Sequence, residues 1–283
     1  MFKTYSFDTH QTGPHVLILG AVHGNETAGS QALHEIIRQI QNKELSLLKG
    51  SVTFIPVVNE KAKALDARFA DENLNRVIKF HPNPITNEQK IANLLIKEIE
   101  KADVLLDLHS THCPEDEAFA FIDYPTEKNL QFLKIIPVKT ALAGWPLIYK
   151  NNPEIDNFCT EEYAYQHGVS ALTLECGYHK SPQAIQLAQT AILNTLSFFN
   201  GLNEFSFKEN EKRLITLDTF IIKDAEGDFI KEVNHLTPLK KGEIIARYHN
   251  NKEIIMPYDG LIIMPNKNAS IQTEWFYIGR ETA

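Results

Sequence analysis

Apolar runs and helical patterns alternate along the first two hundred residues. "HVLILGAV" (15–22) is a continuous apolar run, which predicts a buried strand. Within 26–41, Ala32, Leu33, Ile36, Ile37 and Ile40 recur at helical spacing. "GSVTFIPVV" (50–58) is β-branched and predicts a strand, as do "DVLLDLHS" (103–110) and "GVSALTLECG" (168–177). Between them, 86–102 has helical periodicity and opens with Thr86 and Gln89 at capping-box spacing. A further helix is predicted over 181–199, with Ser181 as N-cap and Pro182 in the first turn. Strands that alternate with helices imply an α/β fold: a mixed, mostly parallel sheet flanked by helices on both faces.

The pattern changes after Gly201. "NEFSFKENEKR" is polar and charged, and beyond it come short alternating stretches: "RLITLDTFII", "GDFIKEVN", "GEIIARYH", "KEIIMPYDGLIIMP" and "EWFYIG". Glu226-Gly227 and Asp259-Gly260 punctuate them as turns. The expected organisation is a catalytic domain over 1–203 and a small β-rich C-terminal domain over 204–283.

Composition narrows the partners. The net charge is −8 and no Lys/Arg-rich run is present, which argues against nucleic acid and against an anionic lipid surface. No apolar run reaches the roughly eighteen residues of a membrane span. Three widely spaced cysteines, Cys113, Cys159 and Cys176, do not make a disulfide framework. "MFKTYSFDTHQTGPHV" at the start lacks the apolar core of a secretory signal, so a cytoplasmic location is expected.

The first predicted strand runs directly into His23 and Glu26. In an open α/β sheet the carboxyl ends of strands border the binding crevice. An isolated H-x-x-E is a weak signal, since a Glu there also favours the start of a helix electrostatically. His109 ends a second apolar strand, 86 positions on (109 − 23). Two imidazoles and a carboxylate form the donor set of catalytic zinc, which keeps one position open for water. Asp107, two residues before His109, points to the same side of a strand and is a candidate acceptor orienting an imidazole. His112 reads as a loop residue rather than a fourth ligand. Glu175 ends a third apolar strand; beside a metal it would serve as general base, and away from one it would pair with a surface Lys. Arg68, Asn75 and Arg76 lie in "DARFADENLNRV", where two arginines also balance Asp66, Asp71 and Glu72 on an ordinary surface.

"GAVHGNET", "ARFADENLNR", "DLHSTH" and "LTLECG", in this order, resemble the aspartoacylase and succinylglutamate desuccinylase family, relatives of the zinc carboxypeptidases. The resemblance covers the chain to about residue 200, and the C-terminal region more loosely. It implies a zinc carboxypeptidase-like fold with one Zn2+ per chain on His23, Glu26 and His109. Glu175 is then the catalytic base and acid, and Arg68 polarises the scissile carbonyl. Asn75 and Arg76 bind a substrate carboxylate. The family's usual D-L-N-R stands here as "NLNR", with Asn73 in place of Asp. A second departure is that residues 151–179 contain no Lys or Arg, and "STHCPEDEAFAF" after His109 is acidic. A substrate with several carboxylates meets few cations there.

The expected activity is zinc-dependent hydrolysis of the amide of a small N-acyl amino acid. A carboxypeptidase-type peptidase acting on short peptides and a non-catalytic zinc-fold binding protein are the rivals. Whether the chain forms a homo-oligomer, and whether Tyr149, Tyr178 or a tyrosine of the C-terminal region joins the site, is left open by the sequence.

Overall fold

The computed structural model describes residues 1–150, 158–203 and 205–282. Glu204, in the expected boundary, and the first seven residues of the stretch lacking Lys and Arg lie outside the described residues. The chain runs β1 (Tyr5–Asp8), β2 (His15–Gly20), α1 (Ala28–Gln41), β3 (Ser51–Ile55), α2 (Glu60–Ala64), a 3₁₀ turn at Leu74–Arg76, α3 (Asn87–Ile99) and β4 (Val104–Thr111). It continues with β5 (Phe119–Phe121), α4 (Glu127–Ile135), β6 (Thr140–Ala143), α5 (Trp145–Lys150), α6 (Thr160–Gln166), β7 (Ser170–Tyr178) and α7 (Pro182–Phe199). Seven strands follow: β8 (Arg213–Ile222), β9 (Gly227–Phe229), β10 (Thr237–Leu239), β11 (Ile244–Tyr248), β12 (Glu253–Ile255), β13 (Gly260–Ile263) and β14 (Glu274–Glu281).

Among the described residues, eleven strands make one sheet in the order β1-β3-β2-β4-β7-β5-β6-β8-β14-β13-β10. The centre, β3-β2-β4-β7, is parallel. β1 joins β3, and β14 joins β8 and β13, in antiparallel pairs. The small sheet is β12-β11-β9.

The side-chain period of two divides the central strands between two cores. Val16 and Ile18 of β2, Leu106 and Leu108 of β4, and Leu172 and Leu174 of β7 pack with Leu33 and Ile36 of α1 and Ala188 and Ile192 of α7. Leu17, Leu19, Leu105 and Ala171 face the other way, onto Ile91, Leu95 and Ile99 of α3. Each buried aliphatic side chain contributes about 1.5–3 kcal/mol, so a slip of one residue in register would forfeit a whole layer. On the second face, β4 reads Leu105, Asp107, His109 and β7 reads Ala171, Thr173, Glu175, in mutual register. That face turns from apolar to polar toward the carboxyl ends of the strands, and the polar end is the floor of a cleft.

The sheet does not stop at residue 203. β6 pairs with β8 from Thr140↔Arg213 to Ala143↔Thr216, and β8 carries β14 and β13 onward. One apolar cluster joins Phe119, Leu142, Trp145 and Tyr149 to Ile215, Leu217, Ile263 and Tyr277.

Most expected elements are present with shifted ends. The strand expected over 15–22 closes at Gly20, because Ala21 adopts φ 46° and turns the chain. The helix expected from 26 starts at Ala28, which leaves Glu26 in the preceding turn. Thr86 caps α3 by accepting the N–H of Gln89, while the Gln89 side chain reaches back to the N–H of Ile85 at 2.9 Å. Ser181 caps α7, with Pro182 in its first turn. β1, β5, β6, β10, α2, α4, α5, α6 and the 3₁₀ turn have no counterpart among the expected elements.

Candidate functional site

The turn after β2 is built by close backbone approach. At Gly24, a Cβ would sit 2.1 Å from the Ala62 carbonyl carbon and 2.2 Å from the Lys63 nitrogen, so α2 can lie against this turn only over a glycine. The N–H of Gly24 donates to Arg68 O at 3.3 Å and that of Asn25 to Ala67 O at 3.0 Å. Fully buried Glu88 braces the same loop, accepting from Asn59 Nδ2 at 2.8 Å and from the N–H groups of Ala70 and Asp71. These contacts deliver Arg68 to Glu26. Gly24→Ala is expected to cost about 1–3 kcal/mol in urea unfolding, the usual cost of overpacking. A loss under about 0.5 kcal/mol would mean that α2 steps aside freely.

His23, Glu26 and His109 converge, each no more than 4% exposed. His23 Nδ1 lies 2.9 Å from Glu26 Oε1 and His109 Nδ1 lies 2.8 Å from Glu26 Oε2. The two Nδ1 atoms are 3.2 Å apart. The outer nitrogens also face oxygens: His23 Nε2 is 3.0 Å from Asn73 Oδ1, and His109 Nε2 is 3.1 Å from Asp107 Oδ2. Each ring therefore meets an acceptor on both sides, whereas a neutral imidazole carries one N–H. Outer acceptors that hold the proton on Nε2 leave both Nδ1 lone pairs aimed inward beside a carboxylate. A cation at their meeting point supplies what the three inward atoms lack. The spacings of 2.8–3.2 Å are close to the roughly 3.3 Å edge of a tetrahedron with 2.0–2.1 Å zinc bonds. The residues present thus fit a metal ion.

Electrostatics agree for two of the three groups. Burial, with Arg68 beside it, lowers His23 to about 4, so this ring is neutral at pH 7. Glu26 is held well below the usual carboxylate range: burial opposes this, but His23 and His109 outweigh it. For His109 burial pulls down, yet the Asp107 and Glu26 carboxylates hold it well above the ordinary histidine value. Binding a metal would displace that proton. Asp107, fully buried, is anchored by the Thr160 hydroxyl at 2.6 Å.

Glu175 stands opposite His109 in the β4–β7 register. Its Oε2 is buried without a hydrogen-bond partner, and burial together with the Glu26 charge pushes its carboxyl up to about 8. Arg68, with its side chain half exposed, donates to Glu26 Oε1 at 2.8 Å. Asn75 Nδ2 lies 3.4 Å from His109 Nε2. Arg76 donates to Tyr149 Oη at 2.9 Å and lies 3.5 Å from Glu274.

His23, Arg68, Asn75, Arg76, His109 and Glu175 border one cleft of about 120 Å³, together with Asp123, Trp145, Cys159, Glu161, Met264, Glu274 and Tyr277. A second recess, lined by Asn25, Ser110, His112 and His179, shares Arg68, Arg76 and Glu175 with it. The sequence thus marks the centre of the cleft and misses its walls. Tyr149 holds Arg76, and Tyr277 supplies the C-terminal tyrosine of the lining, whereas Tyr178 borders neither recess. Asn73, at first only a departure from a pattern, is the acceptor on His23. Glu88 has the pattern of an ordinary helix-start Glu, and nothing short of the fold shows that it is buried.

No described helix is long and apolar enough to cross a membrane. The catalytic-domain model for succinylglutamate desuccinylase/aspartoacylase matches residues 12–199, well over half of the chain. The succinylglutamate desuccinylase of Shewanella frigidimarina (strain NCIMB 400) is 24% identical over 286 residues, spanning 90% of this chain and 79% of that one. Among solved structures, succinylglutamatedesuccinylase/aspartoacylase from Rhodobacter sphaeroides superimposes with a TM-score of 0.76 at 17% identity, covering 99% of this chain and 90% of that one. Succinylglutamate desuccinylase from Vibrio cholerae does so with a TM-score of 0.78 at 18% identity, covering 98% and 85%. Such low identities speak for the shared fold; the family match carries the assignment. With a match that begins ahead of β2 and ends on the last residue of α7, the chain belongs to the succinylglutamate desuccinylase/aspartoacylase family of deacylases, which act on small acyl amino acids.

Proposed function

We propose that the chain is a zinc-dependent deacylase that hydrolyses the amide bond of a small N-acyl amino acid. The observation that carries this reading is the buried His23–Glu26–His109 set, whose donor atoms all lie within 4.8 Å of one another, with the partnerless Glu175 carboxyl beside it. His23, Glu26 and His109 would hold one zinc ion. When bound, zinc acts as a Lewis acid that polarises the acyl carbonyl and makes water acidic enough to attack near neutral pH.

The chain's own groups do the rest. Glu175 accepts the proton of the attacking water and passes it to the amide nitrogen as the C–N bond breaks. Without a cation at the donor set, burial holds this carboxyl up at about 8; a bound cation lowers it toward the range in which it accepts a proton near neutral pH. Arg68 donates to the carbonyl oxygen as negative charge develops there, a contribution on the order of 3 kcal/mol per donor. Asn75 and Arg76 bind the carboxylate of the amino acid, with Tyr149 and Glu274 keeping the guanidinium against the cleft wall. Alignment of the scissile bond follows from that anchor. All three cysteines are free thiols, which suits a reducing cytoplasm.

The test is a screen of acetyl-, succinyl- and longer-acyl amino acids, with short peptides alongside, following release of free amine from the zinc-loaded protein. At least one acyl amino acid should reach a kcat/KM of about 10⁴ M⁻¹s⁻¹, ahead of every peptide. Faster cleavage of peptides would reassign the site to a carboxypeptidase, and no release from any compound would remove the hydrolase reading.

A further inference from the structure

The recess that contains Asn75 and Arg76 ends in acid. Asp123 and Glu161 line it beside Phe121, Trp145 and Cys159. Glu161 is 2% exposed; its Oε1 accepts the N–H of Asp123 at 2.7 Å, the Thr173 hydroxyl also meets its carboxyl, and among the described residues its Oε2 has no hydrogen-bond partner. Asp123 Oδ1 accepts the N–H of Trp145 at 3.2 Å. Arg68 pairs with Glu26 and Arg76 with Tyr149 and Glu274, and among the described residues neither pairs with Asp123 or Glu161. The sequence supplies no Lys or Arg between residues 151 and 179. Burial accordingly pushes Asp123 up to about 7 and, with Asp123 beside it, holds Glu161 well above the usual carboxylate range.

A buried carboxyl oxygen without a donor is costly, and a second carboxyl beside it, half-buried at Asp123, adds like charge to the same spot. An ammonium group brings three donors and the missing positive charge. The faces of Trp145 and Phe121 suit the same guest. Arg76, Cys159, Asp123 and Glu161 line the same recess, so the acidic floor and the carboxylate anchor share one chamber. We propose that Glu161 and Asp123 form a subsite for an ammonium group, so that the preferred substrate is an N-acyl amino acid with a positively charged side chain. This rests on the deacylase reading: with the α-carboxylate at Arg76 and the amide at the donor set, the side chain extends to the acidic floor.

The test compares three substrates of similar length on the zinc-loaded full chain: Nα-acyl-L-ornithine, Nα-acyl-L-norvaline and Nα-acyl-L-glutamate, each as acetyl and succinyl derivatives. The ornithine compound should exceed norvaline by at least about tenfold and glutamate by about a hundredfold in kcat/KM. In Glu161→Gln, and separately in Asp123→Asn, the ornithine-to-norvaline ratio should fall to within about threefold. Equal rates, a preference for glutamate, or an ornithine preference that survives both substitutions overturns the subsite. Should the wild type hydrolyse none of these compounds, the deacylase reading fails and the subsite is judged on binding alone. Free L-ornithine must then raise Tm more than L-norvaline does in the wild type but not in the folded variants, and the absence of that difference overturns it.

Discussion

Glu175→Gln should lower kcat by about 10³-fold while the protein keeps about one zinc ion per chain. The substitution keeps shape and volume, and Glu175 is not one of the three converging donors. Its backbone lies inside β7, paired with β4 at His109, so the side chain stays where it was. What is lost is the ability to take up a proton and give it back. Among the described residues Oε2 has no hydrogen-bond partner to lose. The loss should fall on kcat and leave KM nearly unchanged, since binding is assigned to Asn75 and Arg76. Steady-state kinetics with elemental analysis on the same sample decides the matter: near-native turnover would take the base assignment away from Glu175.

Glu26→Gln should weaken zinc binding by at least about a hundredfold and reduce activity to background. Glu26 is the hub of the site. It meets His23 and His109 through different oxygens, accepts from Arg68 at 2.8 Å, and takes the N–H of Ser110 at 3.2 Å. An amide offers one oxygen, and its NH₂ would face either an imidazole nitrogen or an N–H that needs an acceptor. It also removes the negative charge that helps hold a divalent cation in a buried position. Competition with a chelating dye measures the affinity directly. His112→Ala is the companion measurement and should keep its zinc, because His112 is outside the donor cluster. Unaltered zinc affinity in Glu26→Gln would mean that the ion, if any, sits elsewhere.

The centre of the site was readable because it follows from chain direction. His109 and Glu175 end strands whose apolar runs are unmistakable, and parallel strands bring such ends to one rim. His23 was readable for the same reason, although the sharp turn at Ala21 was not. Arg68, Asn75 and Arg76 had no periodic context, and only family resemblance gave them roles; their loop is organised by Glu88 and Asn59, contacts between segments far apart in sequence. The region from 113 to 167 was opaque because its strands are three and four residues long, too short to show a period. Asp123 and Glu161 meet only once β5 and α6 have docked beside β7. In the C-terminal region β8, β11 and β14 were visible as alternating stretches, but their attachment to β6 was not, since nothing local specifies which edge a strand will join.

That attachment has a consequence for how the chamber can be changed. β14 contributes Glu274 and Tyr277 to the lining of the cleft that also holds His23 and His109. Substitutions at Glu274 or Tyr277 therefore act on the shape of the chamber. The lining of the chamber can thus be altered on β14 with His23, Glu26, His109 and Glu175 left in place.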